Sequence, residues 1–168
     1  SSRFHLTLAH LGLPLVVVYA ASTVGSIGGG WLPVPFRKLG MSSAKARITA
    51  MLVCACCVVP IFTAGGLHSE AMAIGLISLA AAAHQGWSAN LFTTTSDMFP
   101  KSAIGSVVGI GTLAGSAGGI LLATSAGWII QITHSYASLF AVASSAYLLA
   151  LLSITLLAPG LRKVEVPA

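Results

Sequence analysis

Long apolar blocks succeed one another along the chain, at about 11–36, 48–67, 71–95, 103–133 and 136–158, with only short polar breaks between them. They are rich in Ala, Gly, Leu, Ile and Ser and lack the two-residue alternation of a barrel strand, so the pattern predicts helices throughout. At about 1.5 Å per residue each block is long enough to cross a hydrocarbon layer of roughly 30 Å, which makes the expected fold class an all-α integral membrane protein with five transmembrane helices. The first block exceeds that thickness, and Pro33 and Pro35 are expected to break its last turn. Pro60 predicts a kink in the second block, which otherwise reads as structural. Pro100 predicts a loop after the third, and Pro159-Gly160 a stop after the fifth. The fifth block is Leu/Ala/Ser-rich, with Tyr147 as its one notable side chain, and is expected to face lipid.

The third block departs from the others. Between Ala80 and Pro100 it carries His84, Gln85, Trp87, Ser88 and Asn90, each of which needs a hydrogen-bond partner where bulk water is absent. His84, Trp87, Ser88 and Leu91 follow an i, i+3, i+4, i+7 pattern, and Asn90 extends that face toward Thr94. Polar residues inside a span are candidates for a binding site, and Gln85, Ser88 and Asn90 taken singly read equally well as hydrogen-bond glue between helices. Gly25 and Gly29 form a small-xxx-small pair on the first block, suited either to static packing or to a sliding contact. The fourth repeats the device with Gly105 and Gly109, Gly111 and Gly115, and Gly115 and Gly119.

Composition narrows the class further. The 168 residues are 56% hydrophobic and only 7% charged, with a mean hydropathy of +0.94, which excludes a soluble globular domain, where charged residues make up about 25%. The net charge of +5 marks orientation and not a basic face for nucleic acid, so nucleic acid is excluded as a partner. Arg3 stands alone on one side of the predicted spans, whereas Arg37, Lys38, Lys45, Arg47, Lys101, Arg162 and Lys163 gather on the other. The positive-inside rule therefore puts the N-terminus outside and the C-terminus in the cytoplasm of a multi-pass inner-membrane protein. Ser1 to His10 reads as an aqueous connection, so further sequence is expected upstream. Cys54, Cys56 and Cys57 cluster inside an apolar run as packing residues, and neither a metal nor a cofactor is expected. The sequence has no phosphate-binding loop, His-Glu-x-x-His or nucleophile elbow, and His84 has no carboxylate beside it, so enzymatic activity is not expected.

Several motifs then converge. Leu11-Gly-Leu-Pro-Leu-Val-Val-Val-Tyr, Gly25-Ser-Ile-Gly-Gly-Gly-Trp with its basic loop, Ala83-His-Gln-Gly-Trp-Ser-Ala-Asn-Leu-Phe-Thr, Ser96-Asp-Met-Phe-Pro and Gly105-Ser-Val-Val-Gly-Ile-Gly occur in this order. Together they resemble the carboxy-terminal half of a major facilitator superfamily transporter, in the branch of anion:cation symporters that carry hexuronates and related sugar acids. The resemblance implies that the five spans correspond to helices eight to twelve of a twelve-helix permease. It implies secondary active transport of a small organic anion, with a proton or cation as coupling ion, as part of a longer protein whose amino-terminal half is missing here.

On that resemblance the substrate-binding candidates are Trp87 as a wall for the sugar face and Asn90 as a hydroxyl partner, with His84, Gln85 and Ser88 beside them and Thr112 and Ser116 on the fourth span. The interdomain packing candidates are Gly25, Gly29, Gly111, Gly115 and Gly119. Thr23 stands where relatives often carry an acidic residue, which departs from the pattern for a coupling site on the first span. No Lys or Arg lies within a span interior, so the groups that would hold a substrate carboxylate are expected outside this chain. The alternatives are a stand-alone five-span scaffold or partner subunit without transport activity, and a channel formed by oligomers.

Overall fold

The computed structural model describes residues 12–66, 69–133 and 136–163, and among them it is all-helical. The helices are α1 (Gly12–Trp31), α2 (Pro33–Lys38), α3 (Ser43–Val58), α4 (Glu70–Met98), α5 (Lys101–Thr133) and α6 (Tyr136–Leu157), with 3-10 segments at Val59–Gly66 and Pro159–Leu161. Three stretches, Gly12–Lys38, Ser43–Thr63 and Lys101–Thr133, are long and apolar enough to cross a membrane, and Ala141–Leu157 is apolar but shorter. α4 has the length, at 29 residues, but its polar middle and its Thr93-Thr94-Thr95-Ser96-Asp97 end dilute its apolar character.

Pro33, Pro60 and Pro100 interrupt the helices as the sequence leads one to expect, whereas Pro35 sits within α2 and breaks nothing. The Leu32 N–H still reaches the Gly28 carbonyl at 2.9 Å, but Pro33 has no N–H to continue the ladder, and the chain restarts there as α2. Pro60 does the same to α3. The Val59 N–H bonds the Cys56 carbonyl, and a 3-10 segment carries the chain onward to Gly66. α3 itself begins earlier than the apolar run. Ser42 caps it by accepting from the Lys45 N–H at 3.4 Å, so Lys45 and Arg47, expected in a loop, belong to the helix.

Glu70, expected beyond the third span, is the first residue of α4, where its charge complements the helix dipole; Ser69 is the cap. At the other end Phe99 and Pro100 separate α4 from α5, as the proline predicts. Asp97 therefore pairs with neither α5 nor Lys101; its carboxylate takes the Arg47 Nε–H of α3 at 2.7 Å.

α1 lies along α4, while α3 packs on α4 and on α6. The core is built from Met51, Cys54 and Ala55 of α3, Trp87 of α4 and Leu151 of α6, with Leu32, Ile48, Leu91, Tyr147 and Ile154 around it. α3 buries six of its 16 residues, a larger share than the seven of 29 in α4, which fits a structural span. α6, expected to face lipid, puts one stripe into the bundle, with Ser144 and Leu151 buried and Tyr147 half-buried, and leaves its other faces open. α5 is the contrast, a helix of 33 residues of which none is buried.

Candidate functional site

The α1–α4 contact is made close by glycine. A Cβ at Gly25 would overlap the Ala82 backbone and one at Gly29 would overlap Gly86, while one at Gly86 would meet Gly25 O at 3.0 Å, Gly29 Cα at 3.1 Å and Cys54 Sγ at 3.2 Å. Backbones can meet this closely only where side chains are missing. The pair expected at an interdomain contact thus spends its small size inside the chain, because α4 already occupies that face of α1. Gly111, Gly115 and Gly119 behave differently, with nothing within 4 Å of a Cβ at any of them.

The polar residues of α4 divide between two neighbours. Asn90, 0% exposed, donates through Nδ2 to the Gly29 carbonyl at 2.6 Å and to the Gly86 carbonyl at 2.9 Å. It lies within the α1–α4 contact, where the hydroxyl-partner role implied by the resemblance finds no open surface. Its Oδ1 has no hydrogen-bond partner among the described residues. Thr94, one turn on, is also buried and turns its hydroxyl to the Asn90 carbonyl at 2.7 Å.

Trp87 and His84 turn instead to α6. The Trp87 ring, 8% exposed, meets Tyr147 edge-on with centroids 5.7 Å apart and planes at 83°. His84 meets the same tyrosine with centroids 6.0 Å apart, and its Nδ1 lies 2.6 Å from the Tyr147 hydroxyl. One α6 side chain therefore joins two successive turns of α4. The Trp87 indole Nε1 is buried without a hydrogen-bond partner among the described residues. His84 and Gln85 are exposed and Ser88 is half-buried.

The α5 candidates stand on open surface. Thr112 is exposed and donates to the Val108 carbonyl of its own helix at 2.8 Å, and Ser116 is exposed one turn further. At the end of the bundle where α3 starts and α4 stops, a cavity of about 400 Å³ is lined by Ser43, Arg47, Thr94, Ser96, Asp97 and Lys163. Among the described residues no three His, Cys, Asp or Glu side chains gather as a metal site.

Tyr147 is the member of the cluster that the sequence did not assign to it. Its signal was a phenol at the middle of an otherwise Leu/Ala/Ser helix, which identifies a polar group without naming its partner. Neither protein-family models nor curated proteins give a match to this chain.

Proposed function

We propose that this chain is the carboxy-terminal part of a secondary active transporter that moves a small organic anion, of the hexuronate class, across the cytoplasmic membrane by alternating access, with a proton or another cation as coupling ion. The observation that carries this reading is the position of His84. It is the midpoint of α4, which runs Glu70–Met98, and it is exposed beside an exposed Gln85. In this reading α4 crosses the membrane: its 29 residues make a helix about 44 Å long, more than a hydrocarbon layer of roughly 30 Å, and its midpoint would lie near the bilayer centre. An imidazole and an amide open to lipid at that depth cost several kcal/mol, whereas a polar cavity between helices accommodates them. Midplane cavities between two helical bodies are where transporters bind their substrates.

α5 supports the same arrangement. An apolar 33-residue helix that buries nothing in this chain, with Gly111, Gly115 and Gly119 open, suits a contact with a second helical body, the amino-terminal half of the permease. In this reading α1 and α3 to α6 are five spans with the C-terminus in the cytoplasm. A stand-alone scaffold would account for the open α5 and for the His84–Tyr147 contact, but it gives the exposed Gln85 beside them no work.

The test is uptake. The full-length protein containing this segment, reconstituted in proteoliposomes with an inward proton or sodium gradient, should accumulate radiolabelled D-glucuronate or D-galacturonate, and unlabelled hexuronate should compete. Equal uptake by protein-free liposomes under every gradient would refute the reading.

A further inference from the structure

His84 and Tyr147 form a polar contact between α4 and α6 whose geometry also decides what His84 can offer elsewhere. The phenolic oxygen and Nδ1 are 2.6 Å apart. A phenol is both donor and acceptor, and a neutral imidazole carries one nitrogen of each kind, so the contact can be made in two senses. The phenol O–H is the more acidic hydrogen and an unprotonated imidazole nitrogen the more basic acceptor, which favours donation from Tyr147 to Nδ1. The remaining ring proton then resides on Nε2.

Tyr147 is held for this task from two sides. Its ring packs on the core of Met51, Cys54, Ala55, Trp87 and Leu151, and the Trp87 ring stands edge-on to it at 83°. Such aromatic pairs add about 0.5–1.5 kcal/mol beyond burial, which restricts the tyrosine more than a lone exposed phenol would be. His84, by contrast, is exposed. The pair thus has an anchored member and a presented one.

We infer that Tyr147 is a positioning residue: its hydroxyl donates to Nδ1 of His84, fixes the Nε2–H tautomer, and leaves that N–H as a donor to an acceptor oxygen of a sugar acid held at mid-depth beside α4. The inference rests on the transport reading for its ligand and on the His84–Tyr147 geometry for its mechanism. Tyr147 itself makes no contact with the anion.

The experiment separates the two. The chain is labelled with ring-15N histidine in lipid nanodiscs, and among its five histidines the His84 signals are those lost in His84→Gln. Wild type should show an unprotonated Nδ1 and a protonated Nε2. The opposite tautomer, or an even mixture, overturns the inference without recourse to any variant. Tyr147→Phe should convert the ring to a mixture, and an unchanged spectrum likewise overturns it. In the full-length wild type, D-glucuronate should shift Nε2 more than Nδ1, and Tyr147→Phe should raise KM for uptake by about two- to tenfold, with a smaller effect on kcat. A ligand shift centred on Nδ1, or an unchanged KM, removes the donor role. Absent uptake by the full-length wild type, with the stated tautomer present, overturns the transport reading and the ligand together and leaves the Tyr147–His84 clasp standing.

Discussion

Asn90 Nδ2 lies 2.6 Å from the carbonyl oxygen of Gly29, and a third residue explains why. In a regular helix that carbonyl would accept from the N–H four residues on, at Pro33, which has none. The orphaned acceptor faces α4 because Gly29 and Gly86 bring the two backbones together, and Asn90 donates to it from the next helix. Proline, glycine and asparagine thus act as one device: the first frees an acceptor, the second opens the approach, the third fills the bond.

This linkage predicts a double-mutant cycle. Asn90→Ala should lower stability by about 0.6 to 2 kcal/mol, the range for buried hydrogen bonds between membrane helices. In a Pro33→Ala background residue 33 can bond Gly29 itself, so Asn90→Ala should cost measurably less there. Steric-trap or denaturant titration in micelles would read the difference, and equal costs in both backgrounds would dissolve the link between Pro33 and Asn90.

Gly25 and Gly29 of α1 should tolerate nothing larger. At Gly25 and Gly29 an added Cβ meets backbone, which cannot swing aside, whereas at Gly86 part of the contact is the Cys54 thiol at 3.2 Å. Gly25→Ala and Gly29→Ala should therefore lose folded protein, read as monodisperse material in size-exclusion chromatography. Gly86→Ala should lose less, and less again with Cys54→Ala. Full recovery of Gly29→Ala at wild-type yield would mean that α1 can shift along α4.

Arg47 and Asp97 join the start of α3 to the end of α4 at 2.7 Å, with side chains 16% and 49% exposed. So open a carboxylate limits the pair to about 0–1 kcal/mol. Asp97→Asn should change thermal stability only slightly at 0.5 M salt and more at low salt, where screening is weaker. The swapped pair, Arg47→Asp with Asp97→Arg, should regain what either single change loses; a swap no better than the singles would show that position, not charge, matters here.

Much of the architecture was legible because apolar periodicity and proline dictate it: the breaks before Pro33, Pro60 and Pro100 fall within a residue of those prolines. The start of α3 was not, because Lys45 and Arg47 read as loop charges, while the Ser42 cap that begins the helix is a hydrogen bond visible only in three dimensions. The face of α4 was legible as polar but not as divided. Trp87 and Asn90 are three positions apart, enough for one to lean on α6 and the other on α1, and only the neighbours' placement decides which. Asn90 could still have been matched to α1 by counting four back from Pro33 to a carbonyl without a donor.

The last prediction distinguishes glycines used within the chain from those left open. Gly29 and Gly115 both sit in small-xxx-small pairs, yet a Cβ at Gly29 runs into Gly86 and one at Gly115 meets nothing within 4 Å. Replacing an exposed helical glycine by alanine adds about 1 kcal/mol of helix propensity, so Gly115→Ala should leave this chain as stable as before or slightly more so. Gly115→Leu should likewise fold, since none of the 33 residues of α5 is buried. Under the transport reading α5 meets the amino-terminal half, and a leucine at its contact face would hold the two bodies apart. Gly115→Leu should then express at wild-type level in the full-length protein and cut hexuronate uptake several-fold, whereas Gly29→Leu should lose the protein itself. Wild-type uptake by Gly115→Leu would mean that this face of α5 looks onto lipid, and that the partner of the bundle lies elsewhere.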